Sequence, residues 1–269
     1  MKKEIIKQFN KICEDIKSLK VQGARNVALA GLKAYYLIPT SSSMKKLLAL
    51  RPTEPLLANA LRLSNKMDYN EFALALERDQ ETINKIVFRL IKNNNVIFTH
   101  CHSSTVVQAL IYTKKKGKVF EVYNTETRPL YQGRITSGEL KKAGIKVTMF
   151  VDSAARIALT KSQDTKKADL MLIGADAILK KGVINKVGSA MFAQIAKDNH
   201  IPVYILADTW KFFPKNIEIE ERHFEEVWNN PKIKIRNPAF SLVPKKFITG
   251  IISELGLLSY KDFLKQVKN

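Results

Sequence analysis

The sequence predicts an α/β protein in which a helical N-terminal domain, residues 1–92, is followed by a doubly wound parallel-sheet domain, residues 93–269. Three observations lead there. Apolar residues recur at three- and four-residue steps through the first ninety or so positions, the period of one helix face. From residue 95 onward they gather into short, nearly continuous runs, which is how strands buried on both faces read. Helical stretches separate those runs, as parallel βα units require.

In the first part, "EIIKQFNKICEDIKSL", "ARNVALAGLKAYYLI" and "LLANALRL" carry the helical period, and "YNEFALALERDQETINKIVFRLIKNN" makes a longer helix ending in asparagines. Pro39, Pro52 and Pro55 punctuate the connections. In the second part the strands are "VIFTH", "KVFEVYNTE", "KVTMFVDS", "ADLMLIGAD" and "PVYILADT". "KKKGK" at 114–118 reads as a helix C-terminus, with cations at the negative end of the dipole and Gly117 as the cap. The stretch "WNNPKIKIRNPAFSLVPKKFITGIISELGLL" adds a proline-rich turn, a final strand and a short helix, and its apolar tail suits core packing.

With 269 residues, 45% hydrophobic and 26% charged, the composition is that of an ordinary globular chain with room for a sizeable core. No apolar run is long enough to cross a bilayer, and "MKKEIIKQFNKICEDIKSLK" mixes charge with apolar residues where a signal peptide would be unbroken. A cytoplasmic protein is therefore expected. Cys13 and Cys101 sit in such different contexts that no disulfide framework is expected either. Lys and Arg number 45 against 25 Asp and Glu, a formal +20 that favours polyanionic ligands. The lysines are scattered and no nucleic-acid-binding module is recognisable, which weights small phosphorylated ligands above nucleic acid.

Open parallel sheets bind ligands at the carboxyl ends of their strands, so the residues at those ends make a site map. They are Thr99, His100 and Cys101 with Ser103, Ser104 and Thr105 behind them; Glu126 and Arg128 in "TETRP"; Asp152 and Ser153; Asp176 in "GAD"; and Asp208 with Lys211 three residues on. For Asp152 and Asp208 a cap or turn role suffices. In "THCHSS", a strand that persisted to its end would put His100 and His102 on one face and Cys101 on the other. Three adjacent residues could not then converge on one metal, and no zinc-type ligand spacing exists elsewhere. What remains is a cysteine before a helix N-terminus, a position that lowers a thiol's pKa and, with the three hydroxyls, cradles phosphate. An inert buried thiol is the equal alternative. Asp176 follows the apolar "LMLIGA", which should raise its pKa and keep it protonated. Together the two would form a general base and a general acid. Asn185 and Lys186 are expected at the opening of the helix "GVINKVGSAMFAQIAK", placed to hold a phosphate or sugar hydroxyl.

Taken in order, "THCHSS", "TETRPLYQGR", "VDSAAR", "GADAI", "INKVGS" and "DTWKF" resemble the family that joins sugar-phosphate isomerases to the alpha, beta and delta subunits of eukaryotic initiation factor 2B. The resemblance runs from about residue 20 to 258 and is strongest over 97–213. It implies a helical N-terminal domain and a Rossmann-like C-terminal domain. It also implies an aldose–ketose isomerase, working without metal or cofactor, that converts ribose 1,5-bisphosphate to ribulose 1,5-bisphosphate through a phosphoenolate in AMP breakdown. On this likeness Cys101 is the proton acceptor and Asp176 the proton donor. Substrate-binding positions would be Gln22, Gly23, Ala24, Arg25, Arg51, Ser103, Ser104, Thr105, Glu126, Arg128, Gln132, Asn185, Lys186 and Lys211. A homo-oligomer, dimer or hexamer, and activation by AMP are implied as well. One departure stands out: the isomerases carry Arg-Gly-Ala in the first loop where this chain has Gln22-Gly23-Ala24. That loss of a bidentate phosphate contact, with the high positive charge, favours the alternative expectation of a non-catalytic regulatory subunit that binds a nucleotide or sugar phosphate and a translation-factor partner.

Overall fold

The computed structural model describes residues 2–162 and 164–267. Five helices come first: α1 (Lys2–Lys17), α2 (Ala24–Leu37), α3 (Ser41–Leu50), α4 (Pro55–Leu63) and α5 (Tyr69–Leu90). Three of these boundaries have visible causes. Asp68 accepts from the amides of Asn70 and Glu71 while the Glu71 carboxylate accepts from the Asp68 amide, a capping box that starts α5. Thr40 and Ser43 do the same for α3, which the sequence reading did not anticipate. Pro55, expected in a connection, is instead the first residue of α4, where its missing N–H costs nothing.

Helix α5 belongs to two cores. Phe72 and Leu76 pack with Phe9, Ile16, Val27, Leu32 and Leu57 of the preceding helices. About two turns later, Ile83 and Val87 pack with Ile97, Val106, Leu110 and Leu172 of the sheet region.

The second part alternates β1 (Val96–Thr99), α6 (Ser104–Lys115), β2 (Glu121–Thr125), α7 (Gln132–Lys142), β3 (Lys146–Phe150), α8 (Ala155–Leu159) and β4 (Leu170–Ile173). Then come β5 (Ala177–Ile178), β6 (Gly182–Lys186), α9 (Ser189–Asp198), β7 (Val203–Leu206), β8 (Phe240–Pro244), β9 (Gly250–Ser253), β10 (Gly256–Leu258) and α10 (Tyr260–Gln266). The five strands read from the sequence are β1, β2, β3, β4 and β7, and all are parallel. With β9 and an antiparallel edge strand β10 they form one sheet in the order β10-β9-β7-β4-β1-β2-β3. This is the doubly wound α/β fold, and the chain reverses direction between β1 and β4. As expected, α6 closes at Gly117, whose φ of 90° permits the turn.

Two expectations need correcting. The C-terminal stretch holds three strands, not one, and β8 pairs with β5 and β6 in a separate antiparallel sheet. Asn185 and Lys186 do not open a helix: they are the last two residues of β6, and α9 begins only at Ser189 after a left-handed Gly188. The apolar pair in "GVINK" is strand, because Val183 and Ile184 are both buried against partners on each side.

Candidate active site

Cys101 leaves the carboxyl end of β1 at the point where the sheet reverses. The strand stops at Thr99, and Cys101 takes a left-handed φ of 67°, so the alternation that would set His100 and His102 on one face does not apply. The Cys101 peptide is held from both sides: its amide donates to Thr127 Oγ1 at 3.0 Å, and its carbonyl accepts from Thr136 Oγ1 at 2.9 Å. His100 is a core residue. Burial pushes its imidazole down to about 4, so it is neutral. Its Nε2 then donates to the Val187 carbonyl at 2.9 Å, which leaves Nδ1 to accept from Thr125 Oγ1. His102 bonds Thr136 Oγ1. Both histidines brace the turn that presents the cysteine.

Across the reversal, β4 runs into Gly174, Ala175 and Asp176. Gly174 is required here, because a Cβ would sit 2.4 Å from Ser103 Oγ; its absence brings the start of α6 against the end of β4. Asp176 is fixed by its amide, which donates to the Ile184 carbonyl at 2.9 Å within the β5–β6 hairpin.

Both side chains open onto one cavity of about 410 Å³. Thirteen of the sixteen sequence-predicted residues line it: Gln22, Gly23, Ala24, Arg25, Arg51, Cys101, Ser103, Ser104, Gln132, Asp176, Asn185, Lys186 and Lys211. Thr105 is buried one step behind, its carbonyl accepting from Gln80. Glu126 and Arg128 lie outside the lining. Glu126 holds Arg134, and the Arg128 guanidinium donates to Tyr131 Oη and the Val227 carbonyl. Asp152 organises that loop by accepting from the amides of Thr127 and Arg128.

The electrostatics split the expected acid–base pair. Burial raises the Asp176 carboxyl despite Lys211, Arg51 and Lys186, as the sequence predicts. The thiol goes the other way from expectation: burial pushes Cys101 up to about 12, outweighing the lowering by Lys186. A cysteine beside a helix start is depressed only if the helix amides outweigh desolvation, and here Ser103 Oγ already occupies the Val106 amide as the cap of α6. Lys186 and Lys211 are buried at 8% and 7% exposure; neither makes an ion pair among the described residues. Buried ammonium groups outside ion pairs are unfavourable, and these two leave positive charge on the cavity wall. Lys211 is positioned by the helical layer, since Asn59 Nδ2 donates to the carbonyls of Trp210 and Phe212 on either side of it.

Sequence reasoning missed Glu54, Glu220 and Arg222, which also line the cavity. They lie in connections with no periodicity or motif, and only the position of Glu54 three residues after Arg51 gave a signal.

Comparison with known proteins fits this geometry. The initiation factor 2 subunit family matches residues 41–260. The chain belongs to this family. Within it, the chain is 35% identical to ribose 1,5-bisphosphate isomerase of Methanocaldococcus jannaschii, over 91% of this chain and 89% of that protein. Among solved structures of the same fold, the Pyrococcus horikoshii translation initiation factor eIF-2B superposes with a TM-score of 0.83 at 27% identity, covering 93% of this chain and 96% of that one. The 5-methylthioribose 1-phosphate isomerase of the same organism gives 0.77 at 25%, covering 97% and 87%. The family thus spans enzymes and translation factors on one scaffold, and function has to be argued from the site.

Proposed function

We propose that the protein is a sugar-phosphate aldose–ketose isomerase that converts ribose 1,5-bisphosphate to ribulose 1,5-bisphosphate. The observation that carries this reading is the convergence of Cys101 and Asp176 on one cavity whose buried Lys186 and Lys211 form no ion pair among the described residues. The isomerases among its relatives support it.

A phosphate on C1 prevents the sugar ring from opening as a free aldose does, so an acid and a base must act together. Cys101, as thiolate, takes the C2 proton. The electrons form a C1–C2 double bond as the bond from C1 to the ring oxygen breaks, and Asp176 gives its proton to that oxygen, which becomes a hydroxyl. The resulting enol phosphate then collapses: Cys101 returns its proton to C1, and the C2 hydroxyl proton goes to Asp176 as the ketone forms. Both groups end as they began. Lys186, Lys211 and the first-turn amides of α6 hold the phosphates and offset the charge that develops on oxygen.

Incubation with ribose 1,5-bisphosphate, followed by NMR, should give ribulose 1,5-bisphosphate; no turnover with or without AMP would sink the reading. Activation by AMP, a homo-oligomeric state and a cytoplasmic location belong to the same proposal, the first two resting on the resemblance. The exposed Leu255 and Leu257 at the β10 edge offer a surface for a second copy.

Gln22 favours the second reading, a non-catalytic subunit. Its Nε2 is spent on the Leu19 carbonyl at 2.8 Å, and Arg25, the nearest guanidinium, lies 3.8 Å from Glu77. The two readings diverge on one variant. If the protein is the isomerase, Gln22→Arg lowers KM for ribose 1,5-bisphosphate by about tenfold, the worth of one charge-assisted phosphate contact. A regulatory subunit would gain binding without turnover, which steady-state kinetics beside a binding titration distinguishes.

A further inference from the structure

Among the described residues, Arg51 is the one buried cation of the cavity that is held in an ion pair. Its Nη2 donates to Glu54 Oε1 at 2.8 Å, and its Nε lies 3.8 Å from Glu220 Oε2. Glu220 is shared in turn with Arg222 at 2.9 Å. Glu54 is 3% exposed, yet its second oxygen, Oε2, has no hydrogen-bond partner among the described residues; Arg51 Nε and Glu220 Oε2 are left in the same condition. Buried polar atoms are satisfied in the great majority of cases, so three around a single guanidinium at a cavity wall mark a place where a ligand completes the network.

What the ligand must be follows from the charges. Three carboxyl groups, Glu54, Glu220 and Asp176, come from three different segments and influence one another, with Arg51 and Lys211 as the nearby cations. A phosphorylated sugar brings further negative charge to this wall. An ionised Glu54 would repel it, whereas a protonated Glu54 presents Oε2–H as a donor while Oε1 keeps Arg51 in place. Glu54 is ready for that change, because burial and its acidic neighbours outweigh Arg51 and push it up to about 7.

We propose that Glu54 is a further substrate-contacting residue of this site, whose protonated Oε2 donates a hydrogen bond to an oxygen of the bound sugar phosphate, so that binding draws a proton into the protein. This rests on the reading of the cavity as a sugar-phosphate site. It assigns Glu54 a part in binding that Cys101 and Asp176 do not have, and it makes affinity fall as pH rises above neutrality.

Titration calorimetry of ribose 1,5-bisphosphate at pH 8, in buffers of different ionisation enthalpy and with Cys101→Ser in every protein titrated so that turnover adds no heat, reads the proton count directly. At that pH a group at about 7 is mostly ionised when free, so wild type should take up about 0.9 proton per site. Glu54→Gln keeps a donor in place of Oε2 and is spared that protonation, so at pH 8 it should bind about tenfold more tightly than wild type while taking up none. At pH 6, where wild-type Glu54 is already mostly protonated, Glu54→Ala should bind about tenfold more weakly, for want of the hydrogen bond. Thermal melts check that each variant is folded. Equal uptake in wild type and Glu54→Gln overturns the proposal, as does binding by wild type with no uptake. Sulfate, a dianion that does not titrate in this range, is the second probe. Sulfate uptake of a proton that Glu54→Gln abolishes, without binding of the bisphosphate, upholds Glu54 and overturns the substrate assignment. A protein that binds neither probe overturns both.

Discussion

Cys101→Ser should lower kcat by about 10³-fold or more with little change in KM, since a hydroxyl is a far poorer proton acceptor than a thiolate and general-base catalysis contributes about 10²–10⁴. The fold should survive, because the peptide of residue 101 is held by Thr127 and Thr136 through backbone atoms that the substitution leaves alone. The raised thiol predicts the pH profile too. With the thiol at about 12, only about one molecule in 10⁵ carries a thiolate at pH 7. Raising the pH supplies more of it, so kcat, which reads the bound complex, should climb about tenfold per unit as long as Asp176 keeps its proton. It should level off where Asp176 ionises, because from there each gain in thiolate is matched by a loss of the acid. A profile already flat at pH 6 would mean that the sulfur is not the base, or that substrate binding rebuilds its surroundings.

Asp176→Asn is the companion result. An amide cannot hand a proton to the ring oxygen, and kcat should drop by about 10²–10⁴. The residual kcat should lose the levelling seen in wild type and continue to rise into the alkaline range, with Cys101 left as the group whose titration sets the chemical step. This change of shape separates a lost acid from a merely disturbed site, which would lower the rate and keep the shape. The amide of residue 176, bonded to Ile184, preserves the hairpin in the variant. Because the two side chains stand on either side of the chain reversal, with Gly174 letting α6 approach β4, removing either should cost nearly as much as removing both.

Much of this was legible from residue order. The five parallel strands announced themselves as apolar runs, and α1, α2, α4 and α5 by their period, since burial on one or two faces imposes those patterns directly. Helix α3 escaped because "SSSMKKLLAL" buries only Ser43 and Leu47, too little to print a stripe. "GVINK" escaped because a five-residue strand running toward a helix has the same apolar content as the helix's first turn. At the site, strand-end logic led to Cys101, Asp176 and Lys211, whose positions follow from topology. It failed on the thiol's proton affinity, because the sequence displays the helix that follows Cys101 and hides the protein packed around its sulfur. Glu54 and Glu220 were hidden for a related reason: they meet through folding of two connections some 166 positions apart, and nothing local to either announces the other.

The carboxamide of Asn59 reaches from α4 to the carbonyls that bracket Lys211, and Trp210, which bears one of them, is tied to Asp79 of α5 through its indole nitrogen. The Lys211 cation that lines the cavity is thus a passenger on the helical layer as much as on the sheet. A tilt of a few degrees in that layer, from a bound effector or a neighbouring subunit, would move the ammonium relative to Asp176 and retune turnover without touching a single catalytic atom.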